Sequence, residues 1–268
     1  MSNALTVAVC NQKGGVGKTT STGHLARAAH VLGLAVLVVD LDPQGNITSA
    51  LSADDLGDTI GVADALAPNA EYALADVLVP SIWDGVTLAP TPITEALADA
   101  GTQVESQRFG REHRFTHVLR PVLSAYDVVL VDTTPALGLL LTNALVAAEQ
   151  ALIVSQPEQW SADGLNELHN TIDLVAAYHN PKLTAVGPLI NGKRKSQHHD
   201  RVLTEDISPY YGDQAWTSPD EVIPLWAPIS DYLLAGIGLD EAKETRLRHV
   251  ASVYGRFVER MLTTGGRR

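Results

Sequence analysis

A glycine-rich turn near the start of the chain has the residue types and spacing needed to bind phosphate. An apolar run with strand character, Val7 to Cys10, enters the turn, and a helical pattern follows it. Glycines let backbone N–H groups point inward around an anion, and the next helix adds its positive N-terminal end. Lys18 would then reach the terminal phosphates of a nucleotide, and the Thr19 hydroxyl would bind Mg²⁺. We therefore predict a phosphate loop rather than an ordinary glycine turn, with these nucleotide-binding residues: Gly14, Gly15, Val16, Gly17, Lys18, Thr19 and Thr20.

Three aspartates stand at the ends of apolar runs elsewhere in the chain. Asp40 and Asp42 follow one run, and Asp132 follows another. The carboxyl ends of parallel strands meet at one edge of a sheet, so we expect these acids near the phosphate loop. Mg²⁺ prefers oxygen ligands, and hydrolysis needs a group that positions the attacking water. Asp132 has the form of a Walker B acid, and Asp42 is the better candidate for orienting water. The alternative for each aspartate is a helix cap or a solvated turn.

The pattern of apolar runs predicts an α/β fold. Continuous apolar strands separated by helices are typical of a mostly parallel sheet that is covered on both faces. We predict a single doubly wound domain over residues 1–268, whose length suits one large domain. Strands are predicted at 35–40, 86–89, 127–132, 151–154, 183–190 and 221–223. Helices are predicted at 62–66, 105–120, 137–148, 162–177 and 239–262.

Charge is unevenly distributed along the chain. The net charge is −12, and residues 1–190 hold 8 Lys and Arg against 20 Asp and Glu. Residues 191–268 hold 11 of each kind, so an acidic body carries a relatively basic C-terminal third. We predict a local DNA-binding surface, with these candidates: Lys193, Arg194, Lys195, Arg201, Arg246, Arg248 and Arg256. The alternative is a set of solvated surface charges.

Other features of the composition exclude some classes of protein. Cys10 is the single cysteine, so no intrachain disulfide is expected and a shared iron–sulfur cluster is excluded. The longest apolar runs are too short to span a bilayer, and no secretory leader opens the chain. The segment 259–268 has only two bulky apolar residues, too few for stable membrane anchoring. We expect a cytoplasmic protein that does not bind membranes.

Three segments resemble the motifs of one family. The loop has Gln12 where the general phosphate-loop pattern has glycine, and it starts instead with a second lysine, Lys13. The segment 13–19 resembles the deviant Walker A loop of the ParA/MinD family of dimeric ATPases. The segment 40–46, Asp-Leu-Asp-Pro-Gln-Gly-Asn, resembles the second motif of the family in its ParA form. The segment 132–138 is similar to the Walker B region, and the resemblance is strong through residue 180.

The resemblance implies roles for individual residues. Lys13 would cross to the partner subunit and contact its nucleotide. Asp42 would position the attacking water, while Asp40 and Asp132 would serve the Mg²⁺ shell. The nucleotide would be ATP, with its adenine held near Asn191 and Pro224.

The family resemblance also implies a cycle of binding events. ATP would drive formation of a sandwich homodimer that binds DNA without sequence preference on the nucleoid. A ParB-like partner would stimulate a slow basal hydrolysis and release the protein. The chain begins close to its first strand, so it resembles the short ParA type that lacks an N-terminal DNA-reading domain. The alternatives are a positioning ATPase for a non-DNA cargo, a MinD-like membrane-cycling regulator and a metabolic ligase or synthetase.

Overall fold

A seven-stranded sheet forms the centre of the molecule. The structure is a computed structural model that describes residues 4–157, 162–192 and 221–264. The strand order is β3-β4-β2-β5-β1-β6-β7. Among the described strands, only β3 runs antiparallel to its neighbour. The strands are β1 Leu5–Cys10, β2 Val36–Leu41, β3 Val79–Pro80, β4 Val86–Ala89, β5 Val128–Thr133, β6 Gln150–Ser155 and β7 Thr184–Ile190.

Helices cover both faces of this sheet, which confirms the predicted fold class. The described α-helices are α1 Lys18–Val31, α2 Asn46–Leu51, α3 Val62–Leu66, α4 Thr94–Glu105, α5 Arg114–Leu119, α6 Leu139–Ala147, α7 Ala162–Tyr178, α8 Ala227–Leu234 and α9 Thr245–Thr264. One buried cluster packs α1, α8 and α9 against one face of the sheet. A second cluster packs the helices from α3 through α7 against the other face. In the part of the chain that the structure describes, no helix is both long enough and apolar enough to cross a bilayer.

Alternation along the central strands assigns each side chain to one of these faces. Val38 and Leu130 belong to the cluster of α1, whereas Val39 and Val131 belong to that of α6. Both sets are buried, which is why the strands are continuously apolar in sequence. Burying each such side chain contributes about 1.5–3 kcal/mol. Asp132 lies two residues beyond Leu130, so its side chain lies on the α1 face, where the phosphate loop ends.

The predicted helix at 105–120 is wrong, because it is interrupted. Helix α4 already ends at Glu105, and α5 begins at Arg114. Between them Gly110 adopts φ 71°, a left-handed conformation that a continuous α-helix does not contain. The segment is not fully exposed either, because Phe115 and Leu119 are buried against the sheet. Their spacing of four residues, one helical turn, was the signal for a buried face.

The predicted strand at 221–223 is also wrong. The segment forms a turn, although the N–H of Ile223 does donate a hydrogen bond of 2.9 Å to Ile190 O. Pro224 follows at once and has no N–H to donate, so the pairing cannot continue as a regular ladder. The contact nevertheless holds the segment of Pro224 at the carboxyl end of β7. The prediction of a helix from residue 239 is corrected as well, since α9 begins at Thr245 after a short 3₁₀ turn, Leu239–Glu241.

Candidate nucleotide-binding site

The phosphate loop connects β1 to α1 and depends on glycine at two positions. Gly15 and Gly17 have φ values of 74° and 92°, which other residues rarely adopt. A Cβ atom at Gly17 would also overlap the side-chain amide of Asn191. On the other side, a Cβ atom at Gly14 or Gly15 would meet nothing within 4 Å. The loop is therefore closely backed on one side and open on the other.

Lys18 is the buried cation of this loop. Its side chain belongs to the first residue of α1, and the residue is only 7% exposed. Within the described residues, Nζ donates one long hydrogen bond, 3.5 Å to Lys13 O. Burial lowers the pKa of Lys18, although the negative charges of Asp132 and Asp42 oppose that shift. A buried ammonium with one weak acceptor fits an anion such as phosphate.

Asp132 ends β5 beside two threonines of α1. Its Oδ2 accepts a 2.8 Å hydrogen bond from the Thr19 hydroxyl, and its Oδ1 accepts a 3.1 Å bond from Thr22. Burial raises the pKa of Asp132 to about 6, while the two threonines and Lys18 act in the opposite direction. Mg²⁺ in nucleotide sites is held by one or two protein oxygens together with phosphates and waters. Thr19 fits as a direct ligand, with Asp132 as the carboxylate that orients it.

Asp40 lies directly opposite Asp132 in the register of β2 and β5. Its Oδ1 accepts the N–H of Asp42 at 3.1 Å, and its Oδ2 accepts the N–H and hydroxyl of Thr48 at 3.0 and 2.6 Å. Burial, and next the charge of Asp132, raise the pKa of Asp40 to about 8. A cation next to Asp132 would lower the pKa of both carboxyls. Asp40 is 0% exposed, so its visible contacts fix the start of α2 and the position of Asp42.

Asp42 lies in a hydrogen-bonded turn between β2 and α2. Its Oδ1 accepts the N–H of Gln44 at 3.1 Å, and its carbonyl oxygen accepts the N–H of Gly45 at 2.9 Å. Gly45 has φ 64° and is the N-cap residue before α2. Asp42 is 7% exposed, and its negative charge acts to raise the pKa of Lys18. The carboxylate predicted to orient water is therefore close to the phosphate loop, as sequence order alone indicated.

The second lysine of the loop, Lys13, is half-buried. Its backbone N–H donates to Asn11 Oδ1 at 2.9 Å, and Asn11 Nδ2 donates to Val154 O at 2.6 Å. Asn11 thus ties the start of the loop to β6. The contact of Lys13 with a partner subunit stays a prediction, because it concerns a second chain.

The candidate adenine residues lie together at the end of β7. Asn191 follows β7 directly and donates a 3.1 Å hydrogen bond from Nδ2 to Val16 O. Pro224 follows Ile223, whose N–H is bonded to Ile190. Asn191 is thus in contact with the phosphate loop and Pro224 lies beside the end of β7, while their contact with a base stays a prediction.

The candidate DNA-binding residues fall into two groups. Lys193, Arg194, Lys195 and Arg201 lie outside the described residues. The guanidinium carbon of Arg246 lies 4.4 Å from the centre of the Trp226 ring. Arg248 donates to the carbonyl oxygens of Ala242 and Lys243 at 2.7 and 2.8 Å, and Arg256 makes 3.4 Å bonds to Ser252. These local contacts hold the guanidinium groups of Arg246, Arg248 and Arg256 in place, and their binding to DNA stays a prediction.

Sequence reasoning missed several residues that support the site. Thr22, Thr48 and Gln156 hold Asp132, Asp40 and the phosphate loop, respectively. The signal for Thr22 was its position one turn after Thr19 on the same helix face. The run 156–158 resembles the family, but the sequence gives no partner for Gln156 or Thr48, because their partners depend on how distant segments pack.

The loop and the sheet order place the chain among the phosphate-loop nucleotide-binding proteins. A family model described as an AAA domain matches residues 4–185. The chain is 33% identical over 219 residues to sporulation initiation inhibitor protein Soj of Bacillus subtilis, which covers 81% of this chain and 83% of Soj. It is 34% identical over 210 residues to chromosome partitioning protein ParA of Myxococcus xanthus, covering 78% of this chain and 72% of that protein.

A solved structure with a different activity in its name is also similar. Cobyrinic acid a,c-diamide synthase from Mycobacterium smegmatis, with bound ATP analog and magnesium, has a TM-score of 0.80 and 29% identity. The match covers 97% of this chain and 94% of the synthase chain. The chain belongs to the ParA/MinD family, whose members are ATPases, as its three motifs predicted.

Proposed function

We propose that this protein is an ATP-dependent DNA-partition ATPase. The observation that carries the proposal is the meeting of Lys18, Thr19 and Asp132 at the phosphate loop, beside the fixed turn of Asp42. ATP with Mg²⁺ would drive formation of a sandwich homodimer, and the dimer would bind DNA without sequence preference. A ParB-like partner would stimulate the slow hydrolysis and release the protein from the nucleoid. The protein would be cytoplasmic.

Each residue of the site has a distinct task in this proposal. Lys18 would neutralise the terminal phosphates, and Thr19 would hold Mg²⁺, which supplies charge neutralisation during phosphoryl transfer. Asp132 would orient the metal shell through its contact with Thr19. We assign to Asp42 the positioning of the attacking water. Asp40 would serve the Mg²⁺ shell together with Asp132, and its hydrogen bond to the N–H of Asp42 would hold that residue in place.

The similarity to a cobyrinic acid a,c-diamide synthase favours a second candidate, a metabolic synthase. Such an enzyme would hydrolyse ATP in step with its acid substrate, and DNA would change nothing. A positioning ATPase for another cargo would share every residue of the nucleotide site. Testing whether the protein binds DNA separates the synthase from partition. A ParB-like reading frame next to this gene, with repeated centromere sites, would favour partition over a positioning ATPase for another cargo.

Lys13→Ala should bind ATP normally yet remain monomeric. If Lys13 contacts the nucleotide of the partner subunit, a symmetric dimer loses two charge-assisted contacts of about 1.5–3 kcal/mol each. The dimer dissociation constant should then rise at least about 100-fold. Size-exclusion chromatography with light scattering in ATP measures this, and Lys182→Ala, at the amino end of β7, is the matched control. A Lys13→Ala protein that dimerises like wild type would contradict the role across the interface.

Binding to DNA should require ATP. A dimer carries twice the net charge of −12, so a local basic surface must overcome repulsion that salt screens beyond about 8 Å. Fluorescence anisotropy of labelled DNA should show binding with ATP and none with ADP or without nucleotide. If about four to eight phosphates are contacted, log K should fall against log salt with a slope of about −4 to −7.

The same titration tests which charges bind DNA. Replacing Lys193, Arg194 and Lys195 together by alanine should flatten the slope and leave ATP hydrolysis by the free protein unchanged. Lys182→Ala serves again as the control and should keep the full slope. Equal binding with ADP and ATP, or none at low salt with either, would reject the partition mechanism and leave the nucleotide site intact.

A further inference from the structure

Two side-chain amides hold the phosphate loop from its closely backed side. Gln156 follows β6 and donates from Nε2 to Gly15 O at 3.1 Å. Asn191 follows β7 and donates from Nδ2 to Val16 O at 3.1 Å. Two adjacent carbonyl oxygens of the loop are thus bonded by donors from two adjacent strands.

Because the peptide bond is planar and trans, a hydrogen bond that fixes a carbonyl oxygen also fixes the direction of the next N–H group. In a trans peptide, the C=O of one residue and the N–H of the next point in opposite directions. Fixing Gly15 O toward Gln156 therefore points the N–H of Val16 away from Gln156. Fixing Val16 O toward Asn191 likewise points the N–H of Gly17 away from Asn191. These are N–H groups of the kind with which a phosphate loop binds an anion.

The backbone is shaped to let the two amides come this close. A Cβ atom at Gly17 would overlap the Asn191 amide, and a Cβ atom at Gly192 would lie 3.2 Å from the Gln156 side-chain amide. Gly192 also has φ 78°, so glycine is favoured there on both grounds. Two glycines thus make space for two amides, which is a second observation beside the hydrogen bonds.

We propose that Gln156 and Asn191 are positioning residues that aim the N–H groups of Val16 and Gly17 at the nucleotide phosphates. Asn191 then acts on the phosphate end of the ligand through Val16, using one of the two N–H donors of its Nδ2. The proposal rests on nucleotide binding at this loop, and it concerns how the loop is held in that conformation.

Affinity for a ligand without a base separates positioning from base recognition. Isothermal titration would compare Mg²⁺–ATP with inorganic tripolyphosphate for Gln156→Glu and Asn191→Ala. Glutamate has the shape of glutamine but places a second acceptor against Gly15 O. We expect each variant to weaken both ligands by the same factor, about fivefold to tenfold for one hydrogen bond. Gln12→Ala is the matched control, because this nearby amide donates to Glu167 and not to the loop.

Amide hydrogen exchange of the nucleotide-free protein tests the same proposal without any ligand. The N–H groups of Val16 and Gly17 should exchange faster in Gln156→Glu than in wild type or Gln12→Ala. Unchanged exchange together with unchanged tripolyphosphate affinity would overturn the proposal. Loss of ATP affinity but not of tripolyphosphate affinity in Asn191→Ala would also overturn it, since that pattern marks a base contact. Failure of the wild-type protein to bind either ligand would instead reject the proposed function, and the exchange result would still decide the role of the amides.

Discussion

Lys18→Ala should lose ATP binding almost completely. The ammonium of Lys18 is buried at the end of the loop and has one long hydrogen bond among the described residues, so phosphate oxygens would be its main partners. Charge-assisted hydrogen bonds contribute about 1.5–3 kcal/mol each, and Lys18 would make more than one of them. We therefore expect affinity for Mg²⁺–ATP to fall at least about 100-fold by isothermal titration.

Thermal unfolding gives a second measurement of the same change. ATP at 100 times its dissociation constant should stabilise the wild-type protein by about 2.7 kcal/mol. The variant should unfold near the wild-type temperature without nucleotide and gain nothing when ATP is added. Lys182→Ala, which removes an exposed lysine far from the loop, should keep the full gain. Near-wild-type ATP affinity in Lys18→Ala would refute the assignment of the phosphate loop.

Asp42→Ala should bind ATP and form the dimer but hydrolyse ATP at least about 100-fold more slowly. The variant keeps Lys18, Thr19 and Asp132, so the phosphates and Mg²⁺ lose no direct partner. What it loses is the carboxylate proposed to orient the attacking water, and such groups accelerate reactions by about 10²–10⁴. Phosphate release under single-turnover conditions measures the chemical step directly.

Two further variants separate the charge of Asp42 from its turn. Asp42→Asn keeps an oxygen acceptor for the N–H of Gln44 but removes the charge, so it should be as slow as Asp42→Ala. Asp55→Ala removes a comparable turn bond, 3.1 Å to the N–H of Gly57, at an exposed position and should hydrolyse at the wild-type rate. If Asp42→Asn hydrolysed ATP normally, the carboxylate would not be the group that orients water.

The sequence alone was sufficient to predict a part of the site where one short segment contains all the interacting residues. The phosphate loop from Lys13 to Thr19 is of this kind, because glycine, lysine and the helix start are contiguous. Asp132 was also recognisable, since an acid at the end of a buried apolar strand is costly unless it has a charged or hydrogen-bonding partner there. Its position on the α1 face followed from the alternation of a strand once β5 was located.

The rest depended on contacts between segments far apart in sequence. The role of Asp40 in the metal shell stays a prediction, and its hydrogen bonds to Thr48 and Asp42 could not be predicted from the sequence. Gln156 reaches a loop carbonyl 141 positions away, and Asn191 one 175 positions away. The polar composition of 105–120 favours one continuous helix, and Gly110 was the residue that indicated an interruption between α4 and α5. Pairings of this length are fixed by the packing of the sheet rather than by local preference.

The strand order has a consequence for how the protein is made. β1 is the first strand of the sheet to leave the ribosome, yet its neighbours are β5 and β6, with Leu5 opposite Val128 and Val7 opposite Gln150. At about 5–20 residues per second, synthesis from β1 to β6 takes roughly 7–30 s. The phosphate loop lacks Asp132 until β5 has been made, and it lacks Gln156 until β6 has been made. The nucleotide site therefore forms only after the sheet has closed around its first strand, and a nascent chain gains no stability from ATP before that point.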